Sequence, residues 1–462
     1  MEKVLLFFLN LTIFSTQVFA EQFRFPRYQK HVLTNGLTIY LLEQHEVPLI
    51  NIKLLTKTGS VNDLNKPGLS YLTMNSLVLG SKNLSKQEIE NQLDFIGASW
   101  DVEVSRESSS VNISFAKDDT EKVLGISRQV FLNPVFPKSE FIDLKKRSIS
   151  QLDQSYDSPN SVISNYFYGL MFDQHPYGSP PRGTPASLEE ITVKDVERHY
   201  TNYIQPQSSF IIVAGDFDTQ AMLMNLQKRF DGWKNSTELK NTSVKSEPIT
   251  RAKTVLLVDK PDAKQSTFYI GGKSVPRKTE NFVQADLINT LLGGRFTSWL
   301  NQELRVKTGL TYGAISRFES HKKNGVFYIS SFTATENTKK ALNLAIETYK
   351  KLFDDKLSNN DISSASAYIK GQFPPDYETS SQLADFLAEV AIFNISIDEV
   401  DGFYKAINSF PKETTNLVKK FFPNPDDLSI VVIGNAKAIR KDLKNFGKLV
   451  EVKLKNKNPT AI

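Results

Sequence analysis

Cysteine is absent from the sequence, which excludes a disulfide framework, a thiol nucleophile and any cysteine-ligated metal. Histidine is scarce. The five residues His31, His45, His175, His199 and His321 are scattered, and none has a second histidine three or four positions away to share a helix face and a metal. His175 sits in a His-Pro-Tyr-Gly turn and reads as structural. No charge of one sign dominates: 56 Lys+Arg against 51 Asp+Glu leave +5, without a dense basic block, so no nucleic-acid partner is expected. Serine-nucleophile elbows and phosphate-binding glycine loops are missing too. Gly293-Gly294 lies between two helical patterns and reads as a loop or helix end. Beyond the first twenty residues no apolar run is long enough to span a bilayer.

Those twenty residues are a different material. Met1-Glu2-Lys3 precede an apolar run from Val4 to Phe14, and Val18-Phe19-Ala20 supplies a small-residue cleavage site. This is the pattern of a signal peptide over 1–20, cut after Ala20. An N-terminal membrane anchor is the alternative, but Asn10 and Thr12 interrupt the run. Export of a cysteine-free protein suits a bacterial periplasm, the expected location. The remaining length, with 40% hydrophobic and 23% charged residues, suits a globular protein with two sizeable cores.

The sequence repeats itself. "IQPQSSFIIVAGDFD" ends a buried strand at Gly215, and "FPNPDDLSIVVIGNAKA" does so at Gly434, with Pro206 opposite Pro425. The preceding "ITVKDVERHYTNY" and "FPKETTNLVKKFF" both have helical periodicity. Each half opens with strand, polar turn and strand. Each then has a helix, an alternating hairpin ("WDVEVSRESSSVNISF", "YGAISRFESHKKNGVFYISSF") and another helix. Two homologous α+β lobes are therefore expected, over 27–225 and 251–450. Each would be a twisted, mainly antiparallel sheet covered by helices on one face, with a cleft between the lobes. A polar linker over 226–250, rich in Ser, Thr, Asn and Lys, would join them.

Three segments carry a resemblance. "GLSYLTMNSLVLGS", "HPYGSPPRGTPASLEEITVKDVERHYTNYIQPQSSFIIVAGDFD" and "LLGGRFTSWLNQELRVKTGLTYG" are similar to the zinc helix, N-lobe signature and C-lobe signature of the pitrilysin/insulinase-like zinc metallopeptidases, of inverzincin type. The likeness runs from about 27 to about 450. Active members carry H-x-x-E-H, in which two imidazoles one turn apart hold zinc and the glutamate acts on its bound water. Here those positions are Tyr71, Met74 and Asn75, and the position of the family's third ligand, a glutamate, is Gln151. A phenol and neutral amides are poor zinc ligands, and a thioether cannot be a general base. The resemblance thus implies a protein that binds no metal of its own.

The family's substrate-contacting pair is kept, as Arg305 and Tyr312 in "LRVKTGLTY". On residue types alone Arg305 reads as an ordinary surface ion-pair residue and Tyr312 as one that fills a strand face. Within the resemblance they contact substrate, Tyr312 donating to a developing oxyanion and Arg305 adding fixed charge. Some pitrilysin-like enzymes are heterodimers of an H-x-x-E-H subunit and an Arg/Tyr subunit, and this sequence resembles the second. The expected partners are an H-x-x-E-H homologue carrying the zinc and a peptide or unfolded-protein substrate. "IGASWDVEVS" resembles the family's substrate-pairing edge strand, so Gly97, Ala98, Ser99 and Trp100 are candidate peptide-binding residues. Trp100 reads equally as an exposed anchor or a core residue. The alternative function is a non-catalytic peptide-binding or scaffold protein of the same fold.

Overall fold

The computed structural model describes residues 23–235, 253–354, 357–411 and 414–454. The expected signal peptide lies outside the described residues, as does most of the expected linker.

The first half builds a sheet from β1 (Gln29–Val32), β2 (Thr38–Glu43), β3 (Leu49–Thr56), β4 (Ser99–Val104), β5 (Ser109–Ala116) and β6 (Ser209–Gly215), in the order β1-β2-β6-β3-β5-β4. The second repeats it with β7 (Thr254–Asp259), β8 (Gln265–Ser274), β9 (Ala314–Ser320), β10 (Gly325–Ala334), β11 (Ser429–Gly434) and β12 (Lys448–Lys453), in the order β12-β7-β11-β8-β10-β9. The repeat read from the sequence is this correspondence: β2/β7, β3/β8, β4/β9, β5/β10 and β6/β11. Only the outermost strand differs. β1 enters from the N-terminal side, antiparallel to β2, whereas β12 returns from the C-terminal side, parallel to β7. β6 pairs parallel with β2 and β11 with β7, so both sheets are mixed though mainly antiparallel. Gly215 has φ +137°, and a Cβ there would collide with Leu49 O. The close strand approach explains the glycine.

Each sheet is covered on both faces, not one. In the first, Leu41, Ile52, Ile113 and Val213 pack on helices of their own half, among them Thr120–Leu132 and Thr219–Phe230. The opposite face, with Tyr40, Leu42, Phe210 and Ile212, packs on Leu383, Ala384 and Leu387 of the Ser380–Phe393 helix, which belongs to the second half. The second sheet reciprocates. Leu257, Ile270, Ile329 and Val432 face its own helices, while Leu256, Val326, Val431 and Ile433 face Val162, Ile163, Phe167 and Leu170 of the Pro159–Phe172 helix of the first half. Two-sided burial is why β6 and β11 read as unbroken apolar runs. The first half also runs further than expected. The Thr219–Phe230 helix passes 225, and Phe230 and Trp233 belong to the first core.

The corresponding hairpin turns meet at the junction. Arg106 lies 3.3 Å over the Tyr168 ring and donates from Nε to Tyr177 O at 2.8 Å. The Glu107 carboxylate accepts from Tyr177 OH at 2.5 Å and from Lys322 N at 2.9 Å. The Pro-Tyr-Gly turn after His175 therefore ties the halves together. A cleft remains between the Ser380–Phe393 helix and β3, β5 and β4. It consists of two adjoining cavities of about 250 and 240 Å³ that share Lys53, Glu103 and Asp385.

Candidate functional site

The helix Leu69–Ser76 carries Tyr71, Met74 and Asn75. Its start is fixed by the buried Asp63 carboxylate, which accepts from Gly68 N at 2.8 Å and from Ser70 N and Oγ at 2.7 and 2.6 Å. Burial pushes Asp63 up to about 7. His199, 3.0 Å from Ser70 Oγ, is pushed down to about 3 by burial and is neutral. Met74 is 1% exposed and belongs to the first core, so the position that would carry a general base faces away from solvent. The Asn75 amide donates back along the helix to Tyr71 O at 2.8 Å.

Tyr71 and Gln151 do come together, through a residue that sequence reasoning missed. Arg182 Nη2 donates to Tyr71 OH at 3.3 Å and to Gln151 Oε1 at 3.2 Å, with its guanidinium carbon 5.1 Å from the centre of the Tyr71 ring. Its loop is clamped to the start of the helix. A Cβ on Gly183 would collide with Pro67 O, and Ser187 Oγ donates to the same oxygen at 2.7 Å. A phenol, an amide and a guanidinium cannot bind a dication, the last because it is itself cationic. Among the described residues no three His, Asp or Glu side chains are grouped to hold a metal. The donor set does not fit zinc.

Arg305 and Tyr312 also come together. Leu300 and Leu304, both fully buried, anchor a short helix that continues as a π-helical turn over Gln302–Lys307. This turn presents Arg305 between two rings, 4.6 Å from the centre of Phe296 and 4.6 Å from that of Tyr312. Asn301 Oδ1 accepts from Ala314 N at 2.9 Å and holds the following backbone. Tyr312 does not fill a strand face. It is 74% exposed and Phe296 61%. Phe296 was also missed. Its spacing from Arg305 carries no signal until the π-turn is known.

These two groups are not joined by any contact among the described residues. β9 separates Tyr312 from the junction at His321 by seven residues, roughly 20 Å of strand. Tyr71, in contrast, lies near the junction: the hydroxyl of its neighbour Ser70 is 2.8 Å from Gly59 O, and Gly59 lies against Arg106.

β4 is an edge strand. Gly97, with φ +63°, turns the backbone into it, and Ala98 N bonds Leu93 O at 3.0 Å. Ser99, Asp101 and Glu103 face the cleft. By the two-residue period Trp100 faces the other way, half-buried against the first core and 6.4 Å from the Phe131 ring. The exposed-anchor reading of Trp100 is therefore set aside.

Comparison with known proteins agrees with this architecture. A family model described as "Insulinase (Peptidase family M16)" matches residues 39–184, and one described as "Peptidase M16 inactive domain" matches 190–368. The Helicobacter pylori protein named zinc protease PqqE is 23% identical over 376 residues, 80% of this chain and 84% of that one. A second protein of the same organism, named non-peptidase homolog YmxG, is 20% identical over 403 residues, 86% of this chain and 91% of that one. Among solved structures, a peptidase M16 inactive domain from Pseudomonas fluorescens superposes with a TM-score of 0.81 at 19% identity, covering 88% of this chain and 98% of that one. A protease from Helicobacter pylori gives 0.80 at 20% identity, covering 88% and 99%.

Proposed function

Because the chain belongs to peptidase family M16, we propose that it is the zinc-less subunit of a heterodimeric metalloendopeptidase, exported to a bacterial periplasm. Its partner would be an H-x-x-E-H homologue, which supplies the metal and the nucleophile. This subunit supplies Arg305 and Tyr312, a fixed cation and an O–H donor for the oxygen that gains charge as a peptide carbonyl is attacked. The substrate would be a peptide or unfolded protein.

One observation carries the reading: Arg305 is stacked and pre-oriented on an exposed Tyr312, while the protein's own Tyr71–Gln151 position holds a guanidinium. A pair held in place without a metal to serve at home is explained by a second subunit. The roughly 20 Å of strand between Tyr312 and the junction points the same way. So does the presence, in one organism, of one relative named a zinc protease and another named a non-peptidase homolog.

The test is affinity purification of the tagged protein from its native host. A stoichiometric H-x-x-E-H homologue in the eluate, with peptidase activity that neither subunit has alone, is the expected result. If the protein elutes without such a partner, and adding purified zinc-bearing homologues gives no complex, the scaffold alternative replaces this reading.

A further inference from the structure

The Tyr71–Gln151–Arg182 cluster is more than a ruined metal site. Arg182 donates to two neutral acceptors, Tyr71 OH and Gln151 Oε1, and makes no ion pair with a carboxylate among the described residues. A guanidinium paired only with neutral groups keeps its full positive charge. Both bonds are made by Nη2, so Nε and Nη1 have no protein acceptor among the described residues. Tyr71 OH accepts from Arg182, which leaves its own proton free to donate. Arg147, one turn before Gln151 on the helix Lys138–Ser155, is exposed and adds a second cation on that helix face. The Gly183–Pro67 approach and the Ser187 hydrogen bond brace the loop that carries Arg182, whose side chain is exposed and open to a ligand.

We propose that this cluster is an anion subsite for a peptide carboxylate, bound by the Arg182 fork with Tyr71 OH as an additional donor. It rests on the reading of the protein as a peptide-handling subunit. It also replaces the expected role of that position: where active relatives keep a dication, this protein keeps an organic cation selecting for acidic groups. The free C-terminus of a peptide and an Asp or Glu side chain present the same carboxylate chemistry.

Binding to the full-length protein, without any partner, separates these sources. The probes are one dye-labelled peptide in three forms: free C-terminal acid, C-terminal amide, and the amide with one internal Asp. The free acid, the Asp-containing amide, or both should bind about five- to tenfold tighter than the plain amide at low salt. Which of them does so identifies the source. Arg182→Gln should abolish the preference. Gln151→Glu should also abolish it, by giving Arg182 an internal carboxylate while leaving the guanidinium in place. Equal binding of all three peptides, or a preference that survives in either variant, overturns the proposal. Because no catalysis is involved, its failure differs from that of the heterodimer. A protein that prefers carboxylates but recruits no zinc homologue keeps the subsite and loses the enzyme; one that restores proteolysis without the preference does the reverse.

Discussion

Tyr168, on the first half's Pro159–Phe172 helix, donates its phenolic proton to Glu319 Oε2 on the second half's β9 at 2.6 Å. Tyr328 OH donates to the other carboxylate oxygen at 2.7 Å. The single Tyr168 proton being spent on Glu319, His321 Nε2 at 3.0 Å must be the donor to Tyr168, which fixes its tautomer. Tyr168→Phe would leave Glu319 with one donor fewer and His321 without this acceptor, beside a ring position that is itself buried. A loss of ~1–3 kcal/mol is expected, measured by urea unfolding. A change below ~0.5 kcal/mol would mean that the junction tolerates unpaired groups.

The exchanged helices predict that the halves stay together without a covalent link. A variant with an engineered protease site in the 236–252 stretch should, once cut, still elute as one species on size exclusion. Separation would require exposing the apolar faces of two sheets and two helices. Two resolved fragments after cutting would contradict the reciprocal packing.

Acid should destabilise the fold through its buried histidines. Burial holds His199 and His321 near 3, against about 6.5 in an unfolded chain. Their stabilising contribution is full above about 6.5 and is lost as pH falls toward 3, because only the unfolded state takes up those protons. Asp63, pushed up to about 7 by burial, opposes this by one proton between about 4 and 7. Asp286 and Asp376, also raised by burial, oppose it further; each histidine contributes a slope of about 1.4 kcal/mol per pH unit within its own window. Comparing denaturant midpoints at neutral and mildly acidic pH measures the slope. His321→Gln, which keeps an N–H for Tyr168, should lessen the fall on acidification by up to about 1.4 kcal/mol per pH unit; an unchanged slope would refute the assignment.

Much of this was legible in the sequence. The duplication was readable because Gly215 and Gly434 each close a buried strand, although close strand approach requires the glycine only at Gly215. The degenerate zinc positions were readable because a helix spacing of three and four is local. What joins the halves was not. The pattern "SVISNYFYGLMF" says that a helix is buried all round, but it does not say that the second sheet buries it. Arg182 stood in plain view in "PPRGTP", yet its partners Tyr71 and Gln151 are 111 and 31 positions away and only the fold brings them together. Trp100 was undecidable until the register of β4 was known.

The buried Met74 leads to a prediction about repair. Restoring the motif with Tyr71→His, Met74→Glu and Asn75→His should not create a metalloenzyme. The new glutamate would be placed in the first core, at a cost of several kcal/mol for an unpaired buried carboxylate, and Arg182 would still oppose a dication. Circular dichroism melts should show a clear loss of stability, and elemental analysis less than one zinc per molecule. Adding Arg182→Ala and Gln151→Glu should raise zinc content before any activity appears. Full zinc occupancy in the triple variant with Arg182 intact would show that the guanidinium does not guard the site.

Arg305 and Tyr312 decide between enzyme subunit and scaffold. A hydroxyl that bonds an oxygen only as it gains charge acts in the transition state, so Tyr312→Phe should lower kcat by roughly 10²–10³ while barely moving KM. Arg305→Ala should be at least as damaging, since its charge and its stacking partner for two rings both go. Phe296→Leu removes one face of the sandwich but no charge and no donor, so its smaller effect should be recovered by Phe296→Tyr. Each variant must first be shown to co-elute with the zinc-bearing subunit, because a lost complex would mimic lost chemistry. Full turnover by Tyr312→Phe and Arg305→Ala in an intact heterodimer would reduce the pair to surface residues and leave the scaffold reading standing.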